Sequence, residues 1–247
     1  QLLLFGAKVM AVEGSYDQAF DLCLAATEKY QWYNRNTGFN PYTREGKKTC
    51  ALEIAEQFDW DVPEVVSVSV GDGNIISGLW KGFKDLEKLG LIDHLPRLLA
   101  VQSRGSNSVA KAFKEGLDSP QSVDAKTVAD SISVDSPRDG LAALKAIRES
   151  QGFVIELEDE EILQSIAITA RNSGIFGEPA GVTAIAGVGK AAEKGLLEEN
   201  WRVVAVMTGS GLKDIDSALQ VAGEAEKIGA DPSNLDGCRE WSKSKSP

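Results

Sequence analysis

The sequence predicts an α/β fold, a mostly parallel sheet flanked by helices on both faces. Three observations predict it. Short β-branched and apolar runs such as "VVSVSV", "LLAVQ" and "FVIEL" alternate along the chain with longer segments of helical period. The run ending at Val70 stops at a glycine, crosses the loop Gly71, Asp72, Gly73 and Asn74, and restarts as an amphipathic segment. With 247 residues, 43% of them hydrophobic and 26% charged, the chain is also long enough to bury a core under both faces of such a sheet.

The elements follow in order. "QLLLFG" reads as the end of a helix closed by Gly6, and Lys8 to Val12 as a strand, so the chain opens like a truncated βαβ unit. "SYDQAFDLCLAATEKY" has Ser15 as N-cap and a stripe of Ala19, Leu22, Cys23, Ala26 and Tyr30, which predicts a helix. "QWYNRN" predicts a short strand, and the turn-rich "GFNPYTREGKKT" leads into a helix over Glu45 to Phe58 with Ala51, Ile54, Ala55 and Phe58 on its apolar face. A strand, a loop and a helix fill Val65 to Gly90, and a strand at Leu98 to Gln102 follows the break at Pro96. A helix is expected over Ser108 to Glu115. The polar stretch Gly116 to Pro137 reads as a long loop with one short strand near Ile132. Beyond it come a helix to Glu149, a strand at Phe153 to Leu157, helices over Glu158 to Asn172 and Ala180 to Gly195, and a strand at Val203 to Met207. The final "SKSKSP" reads as a disordered tail.

Composition excludes some functions. A formal charge of −11 opposes a nucleic-acid surface, which needs clustered Lys and Arg. Cys23, Cys50 and Cys238 are odd in number and widely spaced, so neither a disulfide framework nor a metal site is expected, and a reducing cytoplasm is the plain reading. No apolar run reaches membrane-spanning length, and the first residues carry no signal-peptide pattern.

The loop after Val70 is the first candidate site. A helix starting at Asn74 presents amides without intrahelical partners and the positive end of its dipole. Gly71 and Gly73 would let the main chain approach an anion closely. A plain strand-to-helix turn explains the same residues, and the acidic Asp72 suits a phosphate only if its carboxylate is directed elsewhere. The pattern is neither GxGxxG nor GxxxxGK[ST], so it names no nucleotide.

Four blocks, "NPYTREGKKTCALEIAEQ", "VSVGDGNIISGLWKGFKDLEKLGLIDHLPRLLAVQ", "SGIFGEPAGVTAIAG" and "VVAVMTGSGLKD", occur in an order and spacing that resembles the C-terminal two-thirds of threonine synthase. That family belongs to fold type II, the tryptophan-synthase-β-like pyridoxal-phosphate enzymes. The resemblance implies pyridoxal 5'-phosphate as cofactor, held at its phosphate by Gly71, Asp72, Gly73, Asn74 and Ile75. It also implies that Thr208 faces the pyridine nitrogen and that Glu178 and Pro179 of "GEPAG" line the pocket. Without it, Thr208 reads as a β-branched strand end, and "GEPAG" as a helix start with proline near N1.

The chain departs from the family in two places. The Schiff-base lysine and the Ser-x-Gly-Asn loop, which the family carries upstream, do not occur, so no catalytic residue is assigned in this chain and the isolated chain is expected to be inactive. The family turn Asn-Ser-x-Asn-Pro-x-Arg-x-Glu-Gly, which binds substrate phosphate, here has Thr37, Gly38 and Thr43 for its first Asn, its Ser and its Arg. Asn40, Arg44 and Arg35 are the remaining weak candidates for substrate binding. Lys47 and Lys48 are expected on a solvated helix face, and Lys213 lies in a different family block and is given no role. His94 is expected at the surface, Glu158 to Glu161 as a helix-capping cluster, and Trp60 and Trp80 in or at the edge of the core.

Together these readings divide the chain into the end of a smaller domain (1–33), a large pyridoxal-phosphate-binding domain (34–235) and a tail (236–247). The intact protein is expected to convert O-phosphohomoserine and water to threonine and phosphate, a small phospho-amino-acid substrate with no nucleic acid, membrane or metal involved; a homodimer stays open. Two alternatives also stay open. One is a related β-replacement or elimination enzyme, cysteate synthase-like or threonine dehydratase-like, acting on phosphoserine, serine or threonine; the other is a non-catalytic scaffold chain.

Overall fold

The computed structural model describes residues 1–225 and 227–232. Its centre is a four-stranded parallel sheet in the order β3-β2-β1-β4, made of β1 (Val65–Ser69), β2 (Arg97–Ser103), β3 (Phe153–Leu157) and β4 (Val203–Val206). Helices α1 (Tyr16–Tyr30), α2 (Pro41–Gln57), α3 (Asn74–Lys88), α4 (Ser108–Lys114), α5 (Gly140–Glu149), α6 (Asp159–Ser173), α7 (Pro179–Glu193) and α8 (Ile215–Ala222) complete the described fold. Every residue of β1 is buried, as expected of a strand covered on both faces.

The pleat divides the core in two. Val66, Val68, Leu98 and Ala100 face a layer built by α2, α3 and α5, in which Ile76, Leu79 and Phe83 are fully buried. Val65, Leu99, Val101 and Ile155 face α6 and α7. Each such large side chain contributes roughly 1.5–3 kcal/mol on leaving water. Glycines set two close approaches. A Cβ on Gly187 of α7 would lie 2.2 Å from Val101, and one on Gly82 of α3 would lie 2.7 Å from the Cβ of Ala51 in α2. The hydroxyl of Ser67, buried in β1, donates to the carbonyl of Ala184 at 2.8 Å, so the polar atom inside the sheet is satisfied.

Several sequence expectations are corrected. Lys8 to Val12 and "QWYNRN" belong to no strand, because no other chain segment among the described residues pairs with them, and Gln31 is in the left-handed conformation that closes α1. The stretch near Ile132 is a single 3₁₀ turn, Asp130–Ile132, and not a strand. The buried residue of α1 is Phe20, whereas Leu22 and Tyr30 of the expected stripe are exposed. Trp60 is 42% exposed with φ of 67°, outside the core that takes Trp80. The tail "SKSKSP" lies outside the described residues.

Other expectations match closely. β3 has its expected bounds, and α2, α3, α6 and α7 differ only at their ends. Glu158 and Glu161 form a capping box on α6. Asp159 adds something the sequence did not show: its carboxylate accepts from Thr127 Oγ1 (2.5 Å), Ser103 Oγ (3.1 Å) and the Val128 amide (2.9 Å), pinning the long loop to the sheet. His94 is exposed.

Candidate functional site

β2 and β3 extend the sheet on one side of β1, whereas β4 returns to its other side. Chain connections diverge at such a point, and a crevice opens beyond the C-terminal strand ends. Val68 is level with Val206, so the loop after β1 and the residues after β4 emerge together. A cavity of about 670 Å³ lies there, and its lining includes Gly71, Asp72, Gly73, Asn74, Ile75 and Thr208. The sheet therefore brings together all six residues expected at a cofactor.

The loop is held in a shape that leaves its donors open. Gly73 caps α3 with φ of 87°, a left-handed conformation that suits glycine, and a Cβ there would come within 2.7 Å of Ala143. The amides of Gly71 through Ile76 find no acceptor among the described residues. Ser69 Oγ, at the end of β1 and in the cavity lining, is likewise buried without a partner. Unpaired donors at a helix N-terminus match what a phosphate requires.

Asp72 does not oppose this arrangement. One carboxylate oxygen accepts the Tyr16 hydroxyl at 2.6 Å, the other accepts the Arg138 amide at 3.0 Å, and its carbonyl accepts the Asp139 amide. Burial pushes the Asp72 carboxyl above its usual range, and the two donors pull the other way.

The substrate candidates are placed differently. Asn40 is buried as the N-cap of α2, accepting from the Tyr42 amide and donating to the carbonyl of Asn34 and the hydroxyl of Tyr33. Arg44 pairs with buried Asp139, and Arg35 is exposed; none of the three lines the cavity. Thr43 donates its hydroxyl to the Asn40 carbonyl at 2.7 Å, within the first turn of α2.

Two of the three lysines that sequence reasoning set aside reach the cavity. Lys213 lines it and pairs with buried Glu178 at 2.8 Å. Lys47 lines it too, half-buried, which corrects the expectation of a solvated position; burial holds its ammonium below the usual lysine value. Lys48 instead joins α2 to α3 through Asp85 at 2.6 Å. The signal for Lys47 was present, since it continues the stripe of Ala51, Ile54, Ala55 and Phe58 by one helical turn.

The family described as pyridoxal-phosphate dependent enzyme matches residues 1–209. The chain belongs to the pyridoxal-phosphate dependent enzymes. Among its relatives, the threonine synthase of Methanocaldococcus jannaschii is 39% identical over 232 residues, covering 94% of this chain and 57% of that protein. The threonine synthase of Methanosarcina acetivorans is 36% identical over 242 residues, covering 97% and 58%. The chain thus spans less than two thirds of the length of these relatives. Among solved structures, maize serine racemase superposes with a TM-score of 0.71 at 17% identity, covering 90% of this chain and 64% of that one. Threonine deaminase isoform 2 of Solanum lycopersicum gives 0.70 at 20%, covering 90% and 62%. The fold is that of the type II pyridoxal-phosphate enzymes. No described helix is long and apolar enough to cross a membrane.

Pyridoxal phosphate is the cofactor of this family, and the cavity fits it. The open amides and Ser69 Oγ could hold its phosphate at one end. Thr208 carries a neutral hydroxyl on the same lining.

Proposed function

We propose that the complete protein is a threonine synthase, a lyase that converts O-phosphohomoserine and water to threonine and phosphate. The observation that carries this reading is the convergence of the Gly71–Ile75 loop and Thr208 on one cavity, in a chain whose relatives include threonine synthases. In this reading residues 1–33 end a smaller domain, and the sheet with its helices forms the coenzyme domain.

Each residue has a stated task. Bound in the cavity, pyridoxal phosphate would supply an electron sink that acidifies the hydrogen on an amino acid's α-carbon. The amides of Gly71 to Ile76 bind its phosphate and fix its position, aided by the dipole of α3. Ser69 donates a further hydrogen bond to the same group. Thr208 faces the ring nitrogen with a neutral hydroxyl, which leaves that nitrogen less basic than a carboxylate partner would. Glu178, paired with Lys213, lines the cavity where α7 begins.

One observation keeps a second reading in view. Thr37, Gly38 and Thr43 replace the three residues that would grip a substrate phosphate, and the Thr43 hydroxyl is already engaged within α2. A β-replacement or elimination enzyme acting on phosphoserine, serine or threonine would suit that loss. The experiment is direct: incubate the purified complete protein with each amino acid in turn and follow threonine, phosphate and keto-acid release. Threonine and phosphate from O-phosphohomoserine support the first reading. Turnover of only the other substrates overturns it.

A further inference from the structure

We propose that Lys47 is a specificity-determining residue that docks a phosphate monoester on the substrate, apart from the loop assigned to the cofactor's own phosphate. The inference rests on the cavity being the coenzyme site, and it names what replaces the missing arginine.

The charges of the cavity single out this ammonium. Among the described residues, two lysines, no arginine and five carboxylates (Asp17, Asp72, Asp130, Asp135 and Glu178) line it, so a phosphate arriving there depends on its few cations. Lys213 is already neutralised by Glu178. Lys47 makes no hydrogen bond or ion pair with any described residue. The acids close enough to influence it, Asp139 and Asp72, are engaged elsewhere: Asp139 by Arg44 and Asn74, Asp72 by Tyr16 and the Arg138 amide. A half-buried cation with no local counter-ion is costly unless an anion arrives.

Its stem is also packed at the base. α2 lies so close to α3 that a Cβ on Gly78 would come 2.7 Å from the Cβ of Lys47. The side chain runs from that contact to the cavity it lines, and a stem packed at its base has less rotamer freedom to lose when it binds. Thr37 lines the same cavity and supplies a hydroxyl donor. Arg44 and Arg35, the residues nearest in sequence to the family's arginine, do not line it. A lysine acts on phosphate as a point charge and does not need the fork geometry of arginine.

The test uses the complete, coenzyme-loaded enzyme and its Lys47→Gln and Lys47→Arg variants. Steady-state kinetics with O-phosphohomoserine is paired with calorimetric titration of inorganic phosphate, the coenzyme site being filled throughout. Lys47→Gln is expected to raise KM and the Kd for phosphate together by about 10- to 100-fold, with a smaller change in kcat and an unchanged coenzyme absorption spectrum. Lys47→Arg restores most of both. KM and phosphate Kd within about twofold of wild type in Lys47→Gln overturn the proposal, as does loss of the coenzyme spectrum. If the wild-type enzyme makes no threonine from O-phosphohomoserine, the functional reading fails on its own, and the calorimetric arm still decides whether Lys47 binds phosphate.

Discussion

The hydroxyl of Tyr16 donates to Oδ2 of Asp72 at 2.6 Å, tying the first turn of α1 to the loop that follows β1. Arg138 completes the clasp. Its amide donates to the other Asp72 oxygen, while its guanidinium pairs with Asp17 at 2.9 Å and Asp21 at 3.1 Å and lies 4.2 Å above the ring of Phe20. The loop that offers its amides to the cavity is thus braced from behind by a helix distant in sequence.

Tyr16→Phe removes one of the two donors to a carboxylate that burial already makes costly. The expected loss is about 1 kcal/mol of stability together with weaker coenzyme retention. Denaturant midpoints and the coenzyme absorbance after dialysis of the complete enzyme check both. An unchanged midpoint and unchanged retention would mean that the clasp does not brace the loop.

Gly73→Ala places a Cβ 2.7 Å from that of Ala143 and 2.9 Å from the Asp139 carbonyl, at a φ of 87° that alanine resists. Left-handed strain and overpacking together predict a loss of about 2–5 kcal/mol, and the coenzyme should be lost with it. Gly46→Ala is the contrasting case, because Gly46 lies inside α2 with open space around it. That change is expected to stabilise by roughly 0.5–1 kcal/mol. Urea titrations of the two variants should shift in opposite directions; a shared direction would contradict the geometry.

Acid stability follows from two carboxylates. Glu64 is held down to about 2 from 4.5 chiefly by its hydrogen bond from Arg202, which joins the start of β1 to that of β4. Glu149 is held down to about 2 by Lys84 and then by the indole of Trp80. Both folded values lie below the unfolded ones, so their stabilisation is complete above pH 4.5 and is lost as pH falls toward about 2. Asp72 acts in the opposite sense, its buried carboxyl being raised. Melting temperatures of wild type and Glu149→Gln should converge across that window, and high salt should reduce the gap because both groups are solvent-accessible. Parallel curves at all pH values would contradict the assignment.

Residues of the central sheet were legible because their pattern is local: "FVIEL" is apolar, β-branched and bounded by turns, and β3 occupies those five residues. Lys8 to Val12 has a similar pattern and is not a strand, since pairing depends on a neighbour that no one-dimensional pattern supplies. The loop at Gly71 was marked as a candidate anion site by its glycines and the helix start after it, whereas its coenzyme role and the distant Thr208 were named through family resemblance. Their meeting comes from the parallel register of β1 on β4, which periodicity alone does not fix. Lys47 was missed although it continues the apolar stripe of α2, because a lysine there is ordinarily solvated and its place on the cavity lining depends on how α2 packs against α3. Tyr16, Ser69 and the Arg138 clasp had no sequence signal, being contacts between segments far apart in the chain.

In the proposed enzyme the open amides of Gly71 to Ile76 hold the phosphate of pyridoxal phosphate. The most direct measurement is a crystal structure of the complete, coenzyme-loaded enzyme. Phosphate oxygens are expected about 2.7–3.2 Å from those amides and from Ser69 Oγ, with the ring nitrogen at the Thr208 hydroxyl. A coenzyme phosphate bound to other groups, with these amides facing water, would contradict it.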